Sequence, residues 1–484
     1  MRDHGEKHLE WDEIQTEADC HKRDMLVIRA ELKKAVAADR HKIVVLDDDP
    51  TGIQTVHGIS VYTDWKMESI RAGFCEEGKM FFILTNSRSM TAEETRKIHH
   101  EIAERIMHVA EETKKKYLIV SRGDSTLRGH FPLETQLIRE DIRSREGKDL
   151  DGEILCPYFR EGGRFTLNDI HYVRCGRELI PAGETEFAQD ETFGYHASNL
   201  REYVEEKTCG RIKAEQCLSI PLELLQAGET EETEKILLKC RDFQKVIVNA
   251  VSDDDLRVFC VALYHAMEKG KRFLFRCAAS LVKIMADISD CPLLGHEDLF
   301  PGEDGTKPGI ILVGSHTEKT TRQLEKLREM PGVEFLEMNS DLVLQPGELE
   351  KETEKILALE EEFLRQRKTV CIYTRRTVLK CQDDTPEKAL KRSVKISLAL
   401  QDCAGKLCQR PAFVIAKGGI TSSDVGVRAL RVKKAEAAGQ IQPGIPVWKT
   451  GPESLFPGMP YVIFPGNVGE DDTLKKTVEI LIGR

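Results

Sequence analysis

KIVVLDDDPTG, residues 42–52, sets how the rest of the chain is read. Ile43, Val44, Val45 and Leu46 form a short apolar run that stops at three carboxylates, a proline, a hydroxyl and a glycine. Such a run, bounded by acids and turn residues, reads as a strand and its exit. Similar runs recur along the chain with helix-like stretches between them, the pattern of an α/β protein.

In the first half the candidate strands are 42–47, 59–63, 80–86, 117–121, 153–157, 245–250 and 272–276. Helix starts are marked between them. Thr91 with Glu94 forms a capping box, and Ser252 precedes three aspartates where a helix macrodipole favours negative charge. CPLLGHEDLFPGEDGTKP, 291–308, then concentrates proline, glycine and acids, and reads as a linker. Beyond it the alternation restarts at 309–315, 333–338, 369–374, 411–417 and 461–466. The expected organisation is a polar and helical lead-in over 1–40, one domain over 41–295 and another over 309–484. The expected fold is two α/β domains with mixed or largely parallel sheets and an active-site cleft between them, ligands lying beyond the carboxyl ends of the strands.

A chain of 484 residues exceeds one ordinary core, which favours an enzyme over a small adaptor. A net charge of -11 argues against nucleic acid, whose binders need a basic stripe. The 14 cysteines are scattered and form no CxxC pair, so they read as reduced core residues. The charged first twenty residues lack a signal-peptide core and no long apolar stretch spans a membrane, so the expected location is the cytoplasm and the expected partners are small molecules. A homodimer is the commonest default for such a protein.

Three stretches after the linker have the composition of phosphate loops. AKGGITSSDVGVRAL (416–430) places Lys417, Gly418, Gly419, Ile420 and Thr421 between a strand and a helix. VGSHTEKTTRQL (313–324) places Ser315 and Thr317 likewise, and FPGNVGEDDTL (464–474) places Gly466 and Asn467. Glycines let the backbone bend, and free amides with hydroxyls at a helix start make an anion site. Each stretch alone is equally a capped turn. Three at strand exits point to a nucleotide-sized polyanion, although neither a P-loop nor a dinucleotide fingerprint is present.

In the first half, SRGDSTLRGHFPLE (121–134) gathers Asp124, Ser125 and Arg128, and CPYFREGGRFTLNDIHYV (156–173) adds Arg160, Arg164 and His171. Arginine's planar fork matches a carboxylate, so two cationic loops with an acidic one favour an acidic, hydroxyl-bearing substrate. Read locally, LDDDPTG also fits a haloacid-dehalogenase-like phosphatase, with Asp47 as nucleophile and Asp49 as acid/base.

LDDDPTGIQTVHG, SRGDSTLRGHF, PYFREGGRFTLNDIHYV, VGSHTEKTTRQL, AKGGITSSDVG and FPGNVGEDD occur in the order seen in the four-carbon acid sugar kinases, formerly DUF1537, and the chain resembles that family. The resemblance implies an N-terminal sugar-acid domain, a C-terminal nucleotide domain, and ATP with Mg²⁺. It places substrate contacts on Asp48, Asp49, Thr51, Gly52, Ser125 and Arg128, with Arg128 as carboxylate clamp and Asp48 or Asp49 as base. Arg164 and His171 would line the same pocket, while Ser315, Gly418–Thr421 and Gly466 would meet ATP. The implied reaction is phosphorylation of a terminal hydroxyl, O4, of an acid such as threonate, erythronate or 3-oxo-tetronate. A sugar-acid sensor without turnover is the non-enzymatic alternative. Asp471 and Asp472 are weak metal-ligand candidates, since acids after a glycine turn more often cap or face solvent, and the metal ligands are not located by spacing. Asp47 stands where relatives often carry alanine.

Overall fold

The computed structural model describes residues 7–12, 14, 24–302, 307–377, 379, 381, 386–466 and 468–484. Two compact units divide the chain, one made of Met1–Thr55 with Asp64–Asp290, the other of Val56–Thr63 with Cys291–Arg484. Among the described residues no helix is long and apolar enough to cross a membrane.

The main sheet of the first unit has β1 (His41–Asp47), β2 (Met80–Leu84), β3 (Lys116–Arg122), β4 (Gly152–Cys156), β5 (Leu218–Ile220), β6 (Gln244–Val248) and β7 (Phe273–Cys277). Their order is β5-β6-β4-β7-β3-β1-β2, and every neighbouring pair is parallel. Successive residues of β1, β2, β4 and β7 are buried whichever face they point to, so both faces are covered. The capping boxes form as read: Glu94 N–H donates to Thr91 Oγ1 at 3.2 Å and Asp255 N–H to Ser252 Oγ at 3.2 Å.

Parallel pairing has a direct consequence for function. Asp47 lies opposite both Leu84 and Arg122, and Arg122 lies opposite Cys277, so the exits of β1, β2, β3 and β7 share one edge. The segment between β4 and β5 departs from the sequence reading. Rather than a cationic loop, Arg164–Leu167 and Ile170–Cys175 form an antiparallel hairpin, turned at Asn168 and Asp169 with φ of 52° and 63°. Asn and Asp tolerate that left-handed conformation, which two-residue hairpin turns demand. Glu178–Pro181 and Leu9–Glu10 extend this small sheet.

The second unit holds β8 (Ile310–Val313), β9 (Val333–Met338), β10 (Thr369–Thr374), β11 (Val414–Lys417), β12 (Lys434–Gln442), β13 (Ile445–Thr450) and β14 (Pro460–Phe464). Strands β9, β10, β8, β11 and β14 pair in parallel in that order, and β13 and β12 continue antiparallel. Ile59–Tyr62, which the sequence reading gives to the first domain, pairs antiparallel with β12 and belongs to the second unit. Ile311, Val313, Phe413, Ile415, Val462 and Phe464 anchor its core. The exits of β8, β10, β11 and β14 again share an edge.

Candidate functional site

At the shared edge of the first unit, β1 runs out through Asp47 into a 3-10 turn, Pro50–Ile53, capped by Asp49. The Asp49 carboxylate accepts from Thr51 N–H at 2.8 Å and from the Thr51 hydroxyl at 2.5 Å. The neighbouring exit, after β2, supplies Arg88, a residue the sequence reading did not single out. Its guanidinium donates to Asp48 at 2.6 Å and to Asp49 at 3.4 Å, and lies 3.9 Å from Asp124 at the exit of β3. One cation thus links three carboxylates from two strand exits.

Burial sorts these acids. It pushes the Asp47 carboxyl up to about 7 against the opposing pull of Arg122, and raises Asp48 against Arg88, Arg276 and Arg122. For Asp49 burial acts upward too, but Arg88 and the two Thr51 hydrogen bonds outweigh it and hold the carboxyl below its ordinary value. Asp124 is held well below the carboxylate range because Arg88 and Arg128 overcome its burial. Asp48 has a side chain 3% exposed and Asp49 one 18% exposed, so Asp49 is the more accessible.

Asp47 is enclosed. It pairs with buried Arg122 at 3.2 Å, and a Cβ placed on Gly52 would lie 2.0 Å from its Oδ2. Gly52 is therefore required by close approach to Asp47.

Arg128 donates to Asp124 through Nε at 2.7 Å, lies 3.8 Å from Asp190 and sits over the Phe187 ring at 5.1 Å. Arg164 covers the same ring at 5.5 Å and has a buried Nε with no hydrogen-bond partner among the described residues. His171 is fully buried, with Nε2 2.7 Å from the Ser125 carbonyl and Nδ1 3.0 Å from Thr166 Oγ1. Burial pushes this imidazole down to about 4, so it is neutral at pH 7, and the carbonyl partner identifies Nε2 as the protonated nitrogen. The structure brings Asp48, Asp49, Thr51, Asp124 and Arg128 to one network and sets His171 behind the Ser125 loop.

In the second unit the loops after β8, β11 and β14 converge. A Cβ on Gly314 would lie 2.3 Å from Thr421 Oγ1, and one on Gly466 would lie 2.9 Å from Ser315 Oγ. Gly418 adopts φ 127°, a conformation side chains rarely take, and precedes the turn of helix Gly419–Asp424. Thr317 caps helix Glu318–Arg328, and its hydroxyl and that of Thr320 each lie 3.0 Å from the Gly466 carbonyl. Asn467 and the Ile420 side chain lie outside the described residues.

Beneath these loops Lys417 is fully buried, its Nζ donating to the Pro465 carbonyl at 3.0 Å and standing 3.9 Å over the Phe464 ring. Burial, then Lys319 and Arg376, push its ammonium down to about 7. Arg376, at the exit of β10, donates to Thr321 Oγ1 at 3.1 Å and has a buried Nη1 with no partner among the described residues; it also lowers His316. Among the described residues no carboxylate is one of the charged neighbours that shift Lys417, Arg376 or His316. Cations without a described counter-charge, under three glycine-bearing loops, fit a bound polyanion. Asp471 and Asp472 are engaged in surface ion pairs with Arg322 at 3.0 Å and Lys476 at 2.7 Å.

Residues 43–285 match the family of sugar-binding N-terminal domains, and residues 310–474 match the family of nucleotide-binding C-terminal domains. The chain belongs to the four-carbon acid sugar kinase family. Both edges thus fall within domains of known ligand class, sugar in the first and nucleotide in the second. Among solved structures, the chain is similar to Haemophilus influenzae protein HI1011, a DUF1537 protein, with TM-score 0.59 and 18% identity over 91% of this chain and 100% of that one. It is also similar to a Salmonella typhimurium LT2 protein named as a tRNA synthase, with TM-score 0.62 and 15% identity over 90% and 98%. At such identities the likeness is one of fold. No curated protein matches the sequence.

The residues the sequence reading missed are Arg88, Arg276 and Arg376, whereas Arg122 was already marked in the cationic loop after 117–121. Each of the three lies at the end of a strand or just past it, the position that flagged the aspartates, in TNSRS, FLFRC and YTRR.

Proposed function

We propose that the chain is an ATP-dependent kinase that phosphorylates a terminal hydroxyl, O4, of a four-carbon sugar acid such as threonate, erythronate or 3-oxo-tetronate. The observation that carries this reading is the cation cluster of Lys417, Arg376 and Lys319, with no carboxylate among the described neighbours that shift Lys417 or Arg376, in the nucleotide-binding domain of a chain whose other domain binds sugar. Phosphoryl transfer depends on positioning and charge neutralisation more than on covalent help. Ser315, Thr317, Lys417, Gly418, Gly419, Thr421 and Gly466 would hold the phosphates. Mg²⁺ would come with ATP, bound by phosphate oxygens and water, and so require few protein ligands.

In the sugar-binding domain, Asp49 is the base in this reading. It is the more accessible of the two candidates, and a lowered pKa suffices where the proton leaves the hydroxyl late in a loose transition state. Asp48 and Arg88 hold it in place. Enclosure of Asp47 between Arg122 and Gly52 argues against its use as a phosphatase nucleophile.

Coupled ADP release across a panel of tetronic acids tests the reading. ATP-dependent product supports it, phosphate release from phosphorylated acids without ATP supports the phosphatase, and saturable binding with neither supports a sensor. Asp49→Asn should lower turnover at saturating ATP by about 10²–10⁴-fold. Near-wild-type turnover would remove Asp49 from the role.

A further inference from the structure

Four consecutive carbonyls of the loop after β3 are each held by a different buried side chain. The Ser125 carbonyl accepts from His171 at 2.7 Å, Thr126 from Tyr195 at 2.8 Å, Leu127 from Tyr203 at 2.8 Å and Arg128 from Arg276 at 3.1 Å. These donors come from the hairpin, the segment before helix Leu200–Lys207, that helix, and β7. All are less than 9% exposed. Burial raises both phenols, so each stays a hydroxyl donor. Leu127 is held at φ 69°, in the left-handed region, with its side chain packed in one apolar cluster with Tyr195 and Tyr203.

In a trans peptide each N–H points opposite to the preceding carbonyl. Fixing carbonyls 125 to 128 therefore fixes the directions of the amides of 126 to 129. The Leu127 amide donates to the Asp124 carbonyl at 3.1 Å, while those of Thr126, Arg128 and Gly129 have no acceptor among the described residues. Gly129 also approaches the catalytic network: a Cβ there would lie 3.3 Å from Asp48 Oδ2. Successive amides flanking a left-handed residue make an anion-binding concavity. The Arg128 side chain, by contrast, is already committed to Asp124.

We propose that His171, Tyr195, Tyr203 and Arg276 are positioning residues that aim the amides of Thr126, Arg128 and Gly129 at the carboxylate of the acid substrate, so that main chain rather than Arg128 reads the acid. The proposal rests on the sugar-acid reading above. It assigns specificity to residues that do not touch substrate.

Tyr195→Phe, Tyr203→Phe and the double variant test it, because phenylalanine keeps the packing and removes only the donor. Affinity is measured by calorimetry without nucleotide, using threonate, erythronate and the carboxamide threonamide, alongside ADP affinity. Each single variant should lose roughly tenfold in acid affinity and the double variant about a hundredfold, with threonamide and ADP changed less than about twofold. Arg128→Gln should lose less than the double variant. Acid affinity in the double variant within twofold of wild type overturns the proposal, as does an equal loss for acid and amide. Failure of the wild type to bind any acid overturns it together with the sugar-acid reading. Acid binding without ATP-dependent product removes the kinase reading while the clamp is still judged on the affinities.

Discussion

At the strand exits of the first unit Arg88, Arg122, Arg128 and Arg276 are each paired with a carboxylate, whereas at those of the second Lys417 is shifted by two further cations and, among the described residues, by no acid. Both edges come from the same parallel geometry, so backbone does not explain the difference. Ligand charge does. A site for a polyol with one carboxylate must be polar without being strongly positive, and interlocked ion pairs provide hydrogen-bonding groups held in one arrangement. A site for a triphosphate gains from leaving its cations unmatched until the ligand arrives.

The largest test breaks the matched network. Arg88→Met leaves Asp48, Asp49 and Asp124 without their shared cation, and removing one partner of a buried ion pair costs about 3–5 kcal/mol. Urea unfolding should show a loss of that size, and Asp48→Asn in the same background should restore part of it. An unchanged midpoint would mean the network is decorative.

On the unmatched side, Lys417→Met should weaken ATP binding by roughly 10- to 100-fold, the size of a hydrogen bond to a charged group, while acid affinity is unchanged. Its pH profile sharpens the point. With an ammonium pushed down to about 7, the free protein must take up a proton to bind phosphate at higher pH. ATP affinity should therefore fall above pH 7, toward about tenfold per unit, and the fall should vanish in Lys417→Met. A wild-type profile flat from pH 6 to 9 would count against this role.

The smallest effect concerns a second unmatched group. Glu360, buried on helix Glu348–Arg365, has no hydrogen-bond partner for either oxygen among the described residues, and burial raises it well above 4.5. Its folded-state value exceeds the unfolded one, so the stability its proton contributes is complete below about pH 4.5 and is lost as pH rises through the folded value. Glu360→Leu should stabilise by about 1–3 kcal/mol, more at pH 8 than at pH 5, as read from thermal midpoints.

Much of the fold was legible because strands buried on both faces appear as continuous apolar runs, and β1, β2, β8 and β10 lie where such runs stand. The hairpins at Arg164–Cys175 and Lys434–Thr450 were not read, since alternating polar and apolar residues blur into loops. The site was half legible. Asp48, Asp49, Thr51 and Gly52 are adjacent in sequence and announce themselves. Arg88 is 39 residues from Asp49, and nothing local distinguishes it from a surface arginine.

LDDDPTG by itself determined that a strand ends in acids and that a glycine follows within five residues of Asp47. Tertiary structure decided the partners, burial and charge state of each acid. Parallel pairing of β1 with β2 and β3 sets Arg88 against Asp48 and Asp49, and Arg122 against Asp47. Charge state and access depend on burial and on partners far away in the chain. The order of residues along a strand carries neither.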